Sequence, residues 1–566
     1  MKESIELGIN SFGLGSLLTN NSMNEFVRKM KEFGIQNFEP CVFFLGIKHK
    51  NKENNKKQSH NPTGIWMSSE AEEKIQCLRN LGMQVHGFHL MSLSLNQNVI
   101  NEAISFAKDN KLSYVVISLE TKNHNKIRKL LPLLCYASNQ FSRLGISFLY
   151  HNHSEDLKNI DGSSVLDNLL QNIPNLGLQL DLGWVQFAGF DCLKMMESYK
   201  DKIQSLHFKD IWPDAKLEER SSCLTAIGEG CIPLIRIIEK AKELNLPSYS
   251  YVIDQDASLD DMETDIRIGA NHILHKTQSQ SSLISGIYNG SIPLSLMTFP
   301  FGIEVLRKHL SYEQIIHIAA YHGIQSLDIM DHEARIFNTK AIKNAMKKEH
   351  MEIACLIVSI TMTKGNQKRI QKKISNSILL AQKIGAKLLM LIPMPQKESF
   401  FQKISKEEKF KRCVPYLKFA VTEGSKYGIK ICVEDTPSCM VPLSSTKECK
   451  AMLDAVPGLG LVYDTANMLA QGDNPITFYE TLKEHIVHVH LKDVVKSNNR
   501  SFDICSDGTY LKCCPWGQGL VPVKEIYDRL YQDNFAGICA VEYTLPKASG
   551  RIANHLQLRN FLRYLE

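Results

Sequence analysis

The sequence predicts an α/β protein built as two tandem (β/α)8 barrels, and three observations predict it. Short polar strings recur at one offset. Tyr150-His151-Asn152-His153, Leu180-Asp181-Leu182 and Leu206-His207-Phe208-Lys209-Asp210 return as Val433-Glu434-Asp435-Thr436, Tyr463-Asp464-Thr465 and Val489-His490-Leu491-Lys492-Asp493, and 434 − 151, 464 − 181 and 490 − 207 all equal 283. The framework between them keeps step, because Gly145, Pro174 and Gly177 pair with Gly428, Pro457 and Gly460 at the same spacing. A period this long is a domain, not a solenoid unit, and 566 residues is about twice a large single domain. Within each half, short apolar runs alternate with amphipathic stretches, as in a parallel sheet whose crossovers are helices.

In chain order, the strand candidates of the first half are Leu7–Phe12, Asn37–Cys41, Val85–Leu90, Tyr114–Leu119, Ile146–Tyr150, Gly177–Leu182, Ile203–Phe208 and Tyr249–Ile253. Helical patterns lie between them, for example Met23–Phe33 and Ser69–Leu81, the latter stopped by Gly82. The second half offers Leu294–Thr298, Ser326–Ile329, Ile353–Ile360, Lys387–Ile392, Ile429–Val433, Gly460–Tyr463, Ile486–Leu491 and Gly537–Val541. No G-x-G-x-x-G follows a first strand, which argues against an open dinucleotide-binding sheet. The polar stretch Lys276–Ser285 marks the boundary, giving domains 1–278 and 284–566.

Hydrophobic content of 43% and charge of 22% are ordinary for a globular protein, and a net charge of +6 is weak over this length. Neither a nucleic-acid nor a membrane partner is expected on that ground. The Lys/Asn-rich run Lys48–Lys57 reads as a solvated loop. Fifteen cysteines without a C-x-x-C pair, no cationic apolar leader at Met1–Ser16 and no apolar run of bilayer length lead to the expectation of a cytoplasmic protein with free thiols.

In a barrel of this kind the C-terminal strand ends share one mouth. Glu434, Asp464, His490 and Glu542 stand at or near the ends of the last four strands of the second half. Each alone has a plainer role as a cap, a salt-bridge partner or a core histidine. Together, three carboxylates and one imidazole would repel each other without a cation, and such an oxygen-rich set suits Mn²⁺, Mg²⁺ or Co²⁺, with Zn²⁺ also compatible.

Ile429–Glu434, Leu461–Thr465, His488–Asp493, Trp516-Gly517-Gln518-Gly519 and Ala540-Val541-Glu542 resemble the xylose-isomerase-like barrel superfamily, within it the sugar (phosphate) isomerase/epimerase branch that includes ketose 3-epimerases, inosose dehydratases and endonuclease IV. The resemblance implies a Glu, Asp, His, Glu ligand set at Glu434, Asp464, His490 and Glu542. The family often carries a substrate-contacting His three residues after the Asp, and here Asn467 stands there, able to hydrogen-bond but not to titrate near neutrality.

The same offset gives the first half a divergent set, His151, Asp181 and His207, with Asp254 near the place of Glu542 (542 − 254 is 288). Two imidazoles would favour Zn²⁺, Co²⁺ or Mn²⁺ there. The Y-H-N-H string with His153, Asp181-Leu182-Gly183-Trp184, and Lys209 resemble another branch of the superfamily, in which Trp184 would offer an apolar face to a sugar ring. The alternative for this half is a core tryptophan and a decayed site. His89 on the third strand is expected to face the mouth and His86 to be structural.

The resulting expectation is a metal-dependent isomerase or epimerase acting on a small carbohydrate through an enediolate. Mn²⁺ is the favoured cofactor, Glu434 and Glu542 are base and acid, and Lys492, Arg500 and Asn467 contact substrate. The same enolate could instead expel a leaving group, so a lyase or dehydratase acting on a keto-sugar or inosose is the alternative. An endonuclease IV-like repair enzyme is remote, because Asn467 and Trp184 replace its histidine and Lys492 and Lys209 replace an Asn. A non-catalytic sugar-binding protein is the other remote reading. Members of the superfamily often form homo-oligomers.

Overall fold

The computed structural model describes residues 5–46, 63–119, 121, 123–159, 162–213, 215–216, 222–259, 261–274, 292–401, 403–542 and 551–565. The chain divides into two compact units, Met1–Gln280 and Ser281–Glu566. The loop expected at 48–57 and the boundary expected at 276–285 lie outside the described residues.

In the first unit the strands are β1 (Gly8–Asn10), β2 (Asn37–Glu39), β3 (Cys41–Phe43), β4 (Ile65–Met67), β5 (Gly87–Met91), β6 (Tyr114–Ile117), β7 (Ser147–His151), β8 (Leu176–Asp181), β9 (Ile203–Phe208), β10 (Asp210–Ile211), β11 (Leu224–Thr225) and β12 (Tyr251–Ile253). Ten of them form a curled sheet in the order β2-β1-β12-β9-β8-β7-β6-β5-β3-β4. Each predicted run of this half holds a strand, but β3 and β4 were not anticipated. Pro40 has no N–H to give a ladder, and it separates β2 from β3. The Pro40 carbonyl accepts the His89 N–H at 2.9 Å, and an isolated parallel bridge Asn37↔Gln84 brings β2 beside the segment entering β5.

The second unit is a closed parallel barrel of β13 (Leu294–Met297), β14 (Ser326–Met330), β15 (Glu352–Ser359), β16 (Leu388–Ile392), β17 (Lys430–Glu434), β18 (Gly460–Asp464), β19 (Ile486–Leu491) and, after the hairpin β20 (Val494–Ser497) and β21 (Tyr510–Cys513), β22 (Ile538–Val541). Helices cover the barrel strands, so the strands read as continuous apolar runs and not as alternating ones. Two 20-residue helices lead into the strands that carry His151 and Glu434. They span His124–Arg143 and Lys406–Ser425, and they hold Pro132 and Pro415, again 283 apart. Gly145 and Gly428 follow them at φ of +70° and +68°, the left-handed region that lets the chain leave the helix for the strand.

Outside the barrel wall, Leu417, Ala420, Ile431, Val433 and Leu461 belong to the main core. Inside it, Met297, Cys355, Ile357, Met390, Cys432 and Val462 pack in the lumen, with the buried polar group Ser295, Asp328 and His488 among them, so the barrel is a packed core. Among the described residues no helix is long and apolar enough to cross a membrane.

Candidate metal centre

Four neighbouring strands carry the predicted set to one place. Glu434 ends β17, Asp464 ends β18, His490 is the penultimate residue of β19, and Glu542 follows β22, its N–H donating to the Leu491 carbonyl at 3.0 Å. Parallel register pairs Asp464 with His490 and His490 with Ala540, which puts the four side chains on the inner face. One donor atom from each lies within 4.8 Å of all the others. An ion bound at about 2.2 Å places opposite ligands roughly 4.4 Å apart, so the group matches one coordination shell. Asp464 and His490 are fully buried, whereas the side chains of Glu434 and Glu542 keep 18% and 17% exposure and line the open side.

The local sequence explains how Asp464 is held. Its Oδ1 accepts the N–H groups of Ala466 (2.8 Å) and Asn467 (3.1 Å), which stops the chain turning away from the strand, and Oδ2 is left for the site. The Asn467 amide is buried and donates to the Asp435 carbonyl at 2.8 Å, with its oxygen 3.5 Å from Lys492 Nζ. This residue, expected to meet substrate, is thus already committed to the backbone on one side. The H-x-K-D and G-x-G strings have a structural basis as well. Asp493 accepts from Gly519 N–H (2.9 Å) and Val521 N–H (3.0 Å), and Asp210 accepts from Gly228, Gly230 and Ile232 at 2.9, 3.0 and 3.2 Å. A Cβ on Gly519 would fall 2.1 Å from the Asp493 carboxylate, so only glycine lets the loop come this close.

Residues 316–565 match the family described as Xylose isomerase-like TIM barrel. The C-terminal half is a xylose isomerase-like TIM barrel. Two curated relatives are similar, both named inosose dehydratase. The one from Geobacillus kaustophilus is 28% identical over 130 residues, covering 20% of this chain and 42% of that protein. The one from Bacillus thuringiensis is 23% identical over 277 residues, covering 45% of this chain and 89% of that protein. The chain therefore spans less than half the length of the first and most of the second. Among solved structures, D-psicose 3-epimerase from Clostridium cellulolyticum, with D-tagatose, is 14% identical, with 49% of this chain and all of that one covered at a TM-score of 0.38.

In this xylose isomerase-like barrel, negative charge is in excess. Burial, with Glu542 and Glu434 alongside, pushes Asp464 up to about 7 against the pull of Lys492. Burial, with Asp464 and Glu434 alongside, pushes Asp435 well above the usual carboxylate range, and its Oδ2 is buried without a hydrogen-bond partner. Despite burial, Lys492 and His490 hold Glu542 below its ordinary value. Lys492 lies 3.1 Å from Glu542 and 3.5 Å from Asp464, one monovalent cation among several carboxyls. A divalent cation among these donors would relieve the excess, so the residues fit a metal. Arg500 is not brought to the group. It is exposed, with its guanidinium 5.7 Å from the Phe400 ring centroid and no carboxylate of the site beside it.

In the first unit, His151, Asp181, His207 and Asp254 also converge within 4.8 Å, as their spacing predicts. Their fit to a metal is poorer, because a cation already sits among them. Lys209, 2% exposed, places Nζ 3.2 Å from Asp181, 2.9 Å from Asp254 and 2.7 Å from Asp256. The ammonium also lies 4.8 Å from the centroid of the Trp184 ring, which is buried and so serves as core at least as much as a sugar platform. His207 is held on both nitrogens, by Asp254 at 2.9 Å and by Glu39 at 2.8 Å. Glu39, which sequence reasoning missed, also accepts from Asn10, Tyr114 and Gln179. His89 faces inward as expected and meets Glu39 at 3.0 Å, while His86 stacks on Tyr249. The His153 ring lies 5.1 Å from that of His151 and 6.1 Å from that of Trp184. Elemental analysis of protein supplied with manganese and then desalted is therefore expected to give one divalent ion per chain. Two ions would mean that Lys209 yields its place.

Proposed function

We propose that the second unit is a metal-dependent isomerase or epimerase of a small ketose, keto-sugar or related polyol carbonyl, and that the two units are copies of one barrel, 1–278 and 284–566. The observation that carries the activity is the unequal burial of the four donors. Asp464 and His490 form a buried floor, while Glu434 and Glu542 flank it with part of each carboxylate facing the mouth. When bound, a divalent metal, Mn²⁺ by preference for an oxygen-rich set with one imidazole, supplies Lewis-acid polarisation of a substrate carbonyl.

The remaining work falls to the chain's own side chains. Glu434 takes a proton from the carbon next to the carbonyl, and Glu542 returns one from the other flank, or the reverse. Lys492, lying against Glu542 and reaching toward the mouth, orients a substrate hydroxyl. Its three N–H donors match an alkoxide-like oxygen. Apolar side chains pack the lumen, so among the described residues a small polar molecule reaches the four donors from the mouth.

A second reading has a specific observation in its favour. The curated relatives are named inosose dehydratase. Abstraction of the same proton, followed by loss of hydroxide from the next carbon with protonation by the second glutamate, makes the reaction a dehydration. Product NMR on a panel of ketoses and inososes separates the two, because only elimination yields an unsaturated ketone. Glu434→Gln and Glu542→Gln are each expected to lower turnover by about 10²–10⁴ with the fold intact, the usual contribution of a positioned acid or base. Full turnover in both variants sinks the glutamate pair.

A further inference from the structure

We infer that Asp328, on the second strand of the second unit, is a positioning residue that turns His490 so that Nδ1, and not Nε2, faces the metal donors. The inference rests on the metal reading of Glu434, Asp464, His490 and Glu542. It adds a residue that the repeat does not reveal.

Asp328 is fully buried in the barrel lumen, and its donors come from two other strands. One oxygen accepts the Ser295 hydroxyl from β13 at 2.5 Å. The other lies 2.7 Å from His488 Nε2 and 3.3 Å from His490 Nε2, both on β19. An ionised carboxylate has lone pairs and no proton to give, so each imidazole meeting it must present Nε2–H. In the structure both nitrogens of His490 face carboxylates, so both present N–H there. When a metal takes the place of the Nδ1 proton, the contact with Asp328 keeps the remaining N–H on Nε2 and leaves the Nδ1 lone pair to the metal. In His490 that atom is the one facing the site, 2.5 Å from Glu434 and 3.8 Å from Glu542. Asp328 therefore selects both the rotation and the tautomer a metal ligand needs, in the way outer carboxylates orient ligating histidines generally.

The first unit repeats the device with different residues. Glu39 occupies the matching place on the second strand, since parallel register pairs Asn10 with Glu39 and Met297 with Asp328. Its Oε1 lies 2.8 Å from Nε2 of His207, the counterpart of His490, and His207 Nδ1 faces Asp254. The residue type differs by one methylene, and the offset slips, since 328 − 39 is 289 and not 283. The same imidazole orientation persists through both changes. That persistence argues for a constraint on the histidine and against a chance lumen contact.

The test is manganese affinity of the full chain, measured by chelator competition, for wild type, Asp328→Asn and Asp328→Glu. An Asn amide can donate to Nε2, which would move the ring proton to Nδ1 and block ligation. The expected result is a 10–100-fold loss of affinity in Asp328→Asn, the range for lost outer-shell partners, with recovery to within a few-fold in Asp328→Glu, which copies Glu39. Asp328→Asn that is folded by circular dichroism and binds within twofold of wild type overturns the inference. If Asp328→Asn does not fold, ¹⁵N-histidine NMR of the zinc-loaded wild-type protein decides, with the His490 signal assigned through His490→Gln. Protonated Nε2 is expected, and protonated Nδ1 overturns the inference. A wild-type protein that binds no divalent ion, with Nε2 still protonated, overturns the proposed function and leaves the orienting contact standing.

Discussion

Asp464→Asn is expected to empty the second unit of its divalent ion and to lower turnover by roughly a thousandfold or more, which at about 1.4 kcal/mol per tenfold is several kcal/mol of lost charge stabilisation. The substitution is nearly isosteric and discriminates between the two oxygens. Oδ1 holds the turn by accepting from Ala466 and Asn467, and an Asn carbonyl oxygen can do the same. Oδ2, 3.5 Å from Lys492, would become an NH₂ group that turns its hydrogens toward the cation and the ammonium. The fold is thus expected to survive while the metal is lost. Elemental analysis, a thermal melt and a turnover assay check the three parts, and an unaltered metal content sinks the assignment of Asp464 as a ligand.

Much of this centre was legible before any coordinates. A parallel strand covered on both faces must be apolar along its length, so a carboxylate or imidazole at its end is conspicuous, and the 283-residue offset lined up His151 with Glu434, Asp181 with Asp464, and His207 with His490. Asp328 and Glu39 escaped because they sit inside the runs Ser326–Ile329 and Asn37–Cys41, where the offset has slipped and each looks like one polar residue in a short strand. A signal was available. His488 and His490 alternate with period two on β19, so both point into the lumen, and two inward imidazoles call for an inward acceptor on another strand. The expected run Asn37–Cys41 passes through Pro40, where the structure ends β2 at Glu39 and starts β3 at Cys41, and the three-residue β4 pairs beside it. Arg500, expected to contact substrate beside Lys492, is carried outward to Phe400 by the loop beyond β20.

The first unit gives the second large effect. Lys209→Met is expected to destabilise that unit by about 3–5 kcal/mol, the cost of leaving buried charge without its partner. The ammonium faces Asp181, Asp254 and Asp256, but they are not three equal charges. Burial, with Asp254 beside it, pushes Asp256 up to about 8, so near neutrality Asp256 keeps its proton and Lys209 answers mainly Asp181 and Asp254. Although burial opposes it, Lys209 with His207 holds Asp254 well below the usual aspartate value. A depressed folded value means stability that is present above the unfolded value and lost as pH falls through the folded one. Burial pushes Asp181 up to about 6 against the pull of Lys209. The gap in melting temperature between wild type and variant should therefore be nearly full at pH 7, begin to narrow near pH 6 as Asp181 takes a proton, and close further as the pH drops below that of an ordinary aspartate. At roughly 2–4 °C per kcal/mol for a unit of this size, the low-temperature transition of the full chain would fall by about 6–20 °C at pH 7. Added manganese or zinc should recover part of that loss, because the vacated centre then offers two carboxylates and two imidazoles to a cation. An unchanged melt at neutral pH would mean that these aspartates are uncharged in the folded protein, and the ammonium would then be a passenger, not the cation that replaced a metal.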